Sequence, residues 1–62
     1  MNTFAKLKDG SIWVVYSDNA AEKTMSLYPV AELESFDPEV TVCKDFPYSE
    51  IEATDTNRHV WA

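Results

Sequence analysis

Glycine, cysteine and histidine each occur once in the chain, and each scarcity excludes a class of chemistry. A single glycine, Gly10, cannot build the loop of backbone N–H groups that cradles a phosphate. A calcium loop would need glycine at its sharp turn together with regularly spaced acids, and both are missing. A lone Cys43 permits no disulfide within the chain. With His59 also alone, a structural zinc site lacks its roughly four nitrogen and sulfur ligands. No apolar run approaches the roughly 20 residues of a membrane-spanning helix. Polar Asn2 and Thr3 directly after Met1 predict no secretory leader. A lone thiol without an export signal fits a reducing, cytoplasmic setting. No metal and no cofactor is expected.

Cations are scarce as well. Five Lys and Arg stand against eleven Asp and Glu, for a net charge of −6. Contact with nucleic-acid phosphates needs Lys and Arg to displace counterions, and anionic membranes ask for the same. Neither direct nucleic-acid binding nor membrane binding is expected. The electrostatic complement is a basic protein surface. The ordinary alternative is that such a charge keeps a small protein soluble.

What the chain does have is apolar and aromatic. Hydrophobic residues make up 45% of it, and eight are Phe, Trp or Tyr. That is above a disordered composition, and aromatics bury large areas each. A chain of 62 residues is one domain at most, burying only about 60% of its unfolded surface. Without disulfides or metal, tight β packing or oligomerisation must supply the remaining stability.

The residue pattern reads as short strands. Residues 3–8 (TFAKLK) predict an edge strand, with Lys6 and Lys8 guarding it against pairing with other chains. Asp9-Gly10 predicts a hairpin turn, because the turn needs positive φ. Residues 11–16 (SIWVVY) form the most β-prone run. Ile12, Val14 and Tyr16 share one face, and Trp13 and Val15 the other. That strand is either covered twice or leaves one face for a partner. Asp18-Asn19 is turn chemistry, or Asn19 caps a helix with Glu22 three residues on. Residues 24–28 predict a third strand with Met25 and Leu27 inward. In residues 30–36, Val30, Leu33 and Phe36 share a face at spacing three, so a short helix within 20–36 stays open beside a strand. Asp37-Pro38 is a turn. Residues 39–44 predict a strand with Val40 and Val42 on one face and a structural role for both. Residues 45–49 (DFPYS) predict a corner. Residues 50–54 predict a last strand, with Ile51 and Ala53 inward and Glu50 and Glu52 outward. Residues 55–62 read as a polar break and a loose tail ending near Trp61.

Two fragments resemble small SH3-like barrels, the group that includes SH3, Tudor and KOW types. Residues 6–17 (KLKDGSIWVVYS) are similar to the opening hairpin of Tudor- and KOW-like domains. Residues 45–54 (DFPYSEIEAT) are similar to the way SH3 barrels enter their last strand, through a proline-bearing single helical turn. Together they cover about a third of the chain. The resemblance implies a mainly β, five-stranded SH3-like barrel. True SH3 domains carry an Ala-Leu-Tyr-Asp-Tyr run, a Trp-Trp pair and a tyrosine three residues after the corner proline. Here Tyr48 follows Pro47 directly and the runs are missing, so no ligand residues carry over and proline-rich peptides are not expected ligands.

The acids are uneven. The first 31 residues balance to zero, whereas residues 32–55 carry Glu32, Glu34, Asp37, Glu39, Asp45, Glu50, Glu52 and Asp55 against Lys44 alone, a charge of −7. Such asymmetry can mark a binding face. Glu50 and Glu52 would share one face of a strand. The candidate partner-binding set is therefore Glu32, Glu34, Asp37, Glu39, Asp45, Tyr48, Glu50 and Glu52. The expected function is a non-enzymatic module that binds a basic protein. In its sharpest form it is an inhibitor of phage or mobile-element type that mimics nucleic-acid phosphates in the groove of a nucleic-acid-binding protein. The plain alternative is a solvated acidic loop. Trp13, Tyr28 and Trp61 are candidate aromatic contacts. Trp13 and Tyr28 with Tyr48 suggest an adaptor that reads a cationic or methylated peptide by cation–π attraction. Trp61 with the second face of residues 12–16 suggests a homodimer seam. Cys43 reads as an inert thiol and His59 as a solvated side chain.

Overall fold

The computed structural model describes residues 2–61. Five antiparallel strands form one sheet: β1 (Phe4–Leu7), β2 (Ile12–Asn19), β3 (Thr24–Pro29), β4 (Lys44–Pro47) and β5 (Ile51–Asp55). Among the described residues, helical structure is limited to 3-10 turns at Val30–Glu32, Tyr48–Glu50 and Arg58–Trp61.

The strand order is β4-β3-β2-β1-β5, so the edges are the last two strands in sequence, and Tyr48–Glu50 alone joins them. Neighbouring strands lie about 4.8 Å apart, which would put the edges of a flat sheet about 19 Å apart. A 3-10 turn rises about 2 Å per residue, so the step from Pro47 to Ile51 spans only about 8 Å. The sheet must curl until its edges approach. β4 and β5 do not pair, so the curl is an open sheet and not the closed barrel that the resemblance implies. The link is pinned at both ends. The Tyr48 N–H donates to the Lys23 carbonyl at 2.9 Å, and the Lys8 N–H donates to the Glu50 carbonyl at 3.0 Å.

Bulges accommodate the bend. Val15 pairs with Leu27 and Ser17 with Ser26, leaving Tyr16 as an extra residue in β2. Lys6 faces Ala53 and Leu7 faces Ile51, leaving Glu52 extra in β5. An extra residue bends a strand and raises its twist.

Both faces of the sheet are apolar. The inner cluster has Ala5, Leu7 and Leu27 buried, with Trp13, Val15, Met25, Phe46 and Ile51 against them. All five strands contribute to it, as the concave side of a curl requires. The outer cluster is Phe4, Val14 and Tyr28. Ile12, Cys43 and Trp61 pack on it, as do Val30, Leu33 and Phe36 from the long connection between β3 and β4. That connection is therefore a lid. Its apolar spacing of three fits 3-10 geometry, and the Leu33 N–H donates to the Val30 carbonyl at 3.0 Å. The Phe36 ring stacks on Tyr28 at 4.4 Å and lies 5.3 Å from Tyr16. Two residues of the expected tail also pack on the sheet. Trp61 sits on the outer cluster, and the Arg58 guanidinium lies 5.8 Å from the Phe4 ring centre. Ala62 falls outside the described residues.

Several local expectations change. β1 is an inner strand between β2 and β5, with Phe4, Ala5 and Leu7 buried, so its lysines guard no edge. The Asp9-Gly10 hairpin closes through three loop residues. Gly10 donates to Leu7 and Leu7 to Ser11, both at 2.9 Å, and Gly10 takes φ +92 as a bulged glycine. Asn19 caps a turn rather than a helix: its Oδ1 accepts the Glu22 N–H at 3.3 Å. Residues 39–43 are not strand, and Val40 and Val42 are 75% and 73% exposed. The β3–β4 register explains why. It pairs Leu27 with Lys44, so one step further Cys43 would face Tyr28, and then Val42 would face Pro29. Proline has no N–H to give the ladder. The chain instead forms a turn at 37–41, with the Val40 and Thr41 N–H groups donating to the Asp37 carbonyl at 3.0 and 2.7 Å.

Leu27→Ala should cost about 2–5 kcal/mol and unfold most of so small a domain. Val42→Ala should stay within about 0.5 kcal/mol of the parent in the same urea titration. Lys23, at φ 56, occupies a conformation that suits glycine. Lys23→Gly should therefore raise stability by about 0.5–1 kcal/mol, and an unchanged or lowered urea midpoint would contradict that reading of the turn.

Candidate functional site

The eight acids of residues 32–55 stay at the surface but do not act alike. Glu32, Glu34, Asp37 and Glu39 ride on the outside of the lid, all exposed. They are the polar side of a segment whose apolar side covers the outer cluster. Asp37 also organises the turn that follows it. Its N–H donates to Thr41 Oγ1 at 3.1 Å, and its Oδ1 accepts the Glu39 N–H at 2.9 Å. Asp45 accepts the Ser26 hydroxyl across the β3–β4 pair. Glu52 meets Lys6 at 3.3 Å, which is the one ion pair among the described residues. Glu50 lies in the Tyr48–Glu50 turn and Glu52 at a bulge, so the two do not share a strand face as the period of two predicts. Asp55 ends β5.

The aromatic candidates are packing groups. Trp13 lies against Phe46 at 5.2 Å in the inner cluster, and its Nε1–H donates to Ser11 Oγ at 2.9 Å. Tyr28 is 5% exposed and stacked under Phe36. Trp61 is half-buried on the outer cluster. Trp13 and Tyr28 occupy opposite sides of the sheet, so they cannot wall one cationic pocket with Tyr48. Of the residues expected in a homodimer seam, Trp61 and residues 12–15 pack within the chain, whereas Tyr16 is 51% exposed.

Tyr48 is a connector. Its hydroxyl donates to Asp18 Oδ1, tying the link between edge strands to the far end of β2. That hydrogen bond, with smaller effects of burial and of the Asp18 charge, raises the Tyr48 pKa. Burial, then Cys43, raises that of Tyr28. At the hairpin, hydrogen bonds from the Ser11 side chain and backbone hold the Asp9 carboxyl below its usual range.

What the pattern did not place is a groove of about 520 Å³ on the lid, lined by Pro29, Glu32, Asp37, Val40, Thr41 and Val42 among others. It joins two of the predicted acids to the two valines expected on one face of a strand. The signal that could have found it is Pro29, which limits how far β4 can extend. Two other concavities lie beside the edge-strand link. Leu7, Phe46 and Glu50 line one, of about 520 Å³. Met25, Tyr48 and Ile51 line the other, of about 230 Å³. Cys43 is half-buried and His59 exposed, and no hydrogen bond joins them among the described residues. No group of three or more His, Cys, Asp or Glu is arranged to hold a metal among the described residues. No helix is long and apolar enough to cross a membrane.

No family model matches the chain, and neither a curated protein nor a solved structure matches it.

The Tyr48–Asp18 link sets an alkaline test. A raised folded pKa means that the link's contribution is complete below the ordinary tyrosine value and is lost as pH rises through the higher folded value. In an ultraviolet absorbance titration, Tyr28 and Tyr48 should both ionise late, and Asp18→Asn should bring the Tyr48 step alone back toward the ordinary value. A titration unmoved by Asp18→Asn would show that the link has no weight in solution.

Proposed function

We propose that the chain is a non-enzymatic binding module that presents the acids of residues 32–55 to a basic surface on a partner protein. The observation that carries this reading is the lid. A segment that already seals the outer cluster with Val30, Leu33 and Phe36 turns Glu32, Glu34, Asp37 and Glu39 to solvent, and no cation lies within ion-pair distance of them among the described residues. Like charges held close on a fixed scaffold raise the local potential, and an oppositely charged partner relieves it. In its sharpest form the module is an inhibitor of phage or mobile-element type, with its carboxylates standing where nucleic-acid phosphates would lie on a nucleic-acid-binding protein. A cytoplasmic setting belongs to the same reading, through the lone thiol.

The SH3-like relationship belongs here too. Its support is the antiparallel order β4-β3-β2-β1-β5 and the passage from Pro47 through one 3-10 turn into β5. The sheet's openness departs from that family's closed barrel, so the relationship carries no ligand residues.

The test is affinity capture from host lysate at low and at physiological salt, with the triple variant Glu32→Gln, Glu34→Gln and Glu39→Gln alongside. Capture of a basic protein should weaken by about tenfold or more with salt, because exposed charges are screened within a Debye length. The triple variant should lose most of the capture at low salt. Capture that is indifferent to both salt and neutralisation would sink the reading.

A further inference from the structure

Val40 and Val42 break the rule that the rest of the lid obeys. Elsewhere its large apolar side chains, Val30, Leu33 and Phe36, face the sheet and its polar ones face water. At residues 40–43 the half-buried positions are Thr41 and Cys43, while Val40 and Val42 are 75% and 73% exposed. Single exposed apolar residues are ordinary. Here two β-branched side chains stand at alternate positions in one groove of about 520 Å³, within the size range of ligand sites. The backbone that holds them is fixed by the hydrogen-bonded turn at 37–41 and by the arrest of the ladder at Pro29.

The charge of the rim decides what fits. Glu32 and Asp37 line the same groove, and Glu39 precedes Val40. Glu32 uses Oε2 to accept the Ser35 hydroxyl at 3.2 Å, and Asp37 uses Oδ1 for the Glu39 N–H at 2.9 Å. Each carboxylate has a second oxygen with no partner among the described hydrogen bonds. A second copy of the chain is a poor occupant, since a two-fold contact would set these acids against themselves. A nucleic acid would be repelled by the same acids.

We propose that the groove seats a short segment of a partner protein in which aliphatic side chains alternate with arginine. The aliphatic groups cover Val40 and Val42, and the guanidinium groups reach the free carboxylate oxygens at the rim, a geometry that arginine suits better than lysine. This rests on the basic-partner reading above and names the partner's recognition element.

The experiment is a methyl NMR titration with a capped pentapeptide alternating arginine and leucine, beside the same peptide with serine for leucine. The leucine peptide should shift the Val40 and Val42 methyl signals, and the serine peptide should bind about tenfold more weakly. The double variant Val40→Ser and Val42→Ser should lose a similar factor while its thermal unfolding stays put, since both side chains are exposed. Glu32→Gln should weaken binding of the leucine peptide. Valine signals that stay still, or affinity that ignores the double variant, would overturn the groove proposal. If partner capture then remained sensitive to salt and to acid neutralisation, the wider reading would survive it. Sedimentation showing a dimer that the double variant dissolves would also overturn the proposal, by assigning the valines to self-contact.

Discussion

The structure depends on one short connection. Tyr48–Glu50 must join strands that lie at opposite edges of a five-stranded sheet. A flat sheet cannot satisfy so short a link, so the sheet curls, and the curl creates an inside. The inner cluster draws Leu7, Val15, Leu27, Phe46 and Ile51 from five different strands. The bulges at Tyr16 and Glu52 lie where the sheet bends and where β5 joins it. The hydrogen bonds at Lys23 and Lys8 hold the link to both ends of the body it closes.

Curling solves one burial problem and leaves another. β1, β2 and β3 alternate apolar residues onto both faces, so Phe4, Val14 and Tyr28 would meet water on the convex side. The long connection and the Arg58–Trp61 turn cover them. This second job explains the connection's composition: its apolar residues recur at spacing three because they face the sheet, and its acids are what faces out. Four of the eleven acids are thus compatible with a solvated lid. The exposure of Val40 and Val42 is not required by that role.

Much of the framework was legible in the residues. The Asp9-Gly10 hairpin, β2, β3, the proline-led turn and β5 are all announced by local chemistry, and their bounds shift by one to three residues. The two-sided character of residues 12–15 was legible as well, since alternation alone separates Trp13 and Val15 from Ile12 and Val14. The errors cluster where a residue's neighbour comes from far along the chain. Lys6 looks like edge protection until β5 pairs beside it. Tyr28 and Trp61 look like spare aromatics until the convex face of the sheet proves to need them. Glu50 and Glu52 look like one strand face until a turn and a bulge separate them.

Periodicity, turn residues and net charge concern groups adjacent in sequence, and they were enough to establish a small acidic β domain with its acids gathered in residues 32–55. Which side of a segment faces inward depends on its partner strand. Val40 and Val42 alternate as a buried pair would, yet the ladder that would have turned them inward stops before Pro29, which has no N–H to continue it. Strand pairing across the chain, rather than the local pattern, therefore left two valines on the surface beside the acids.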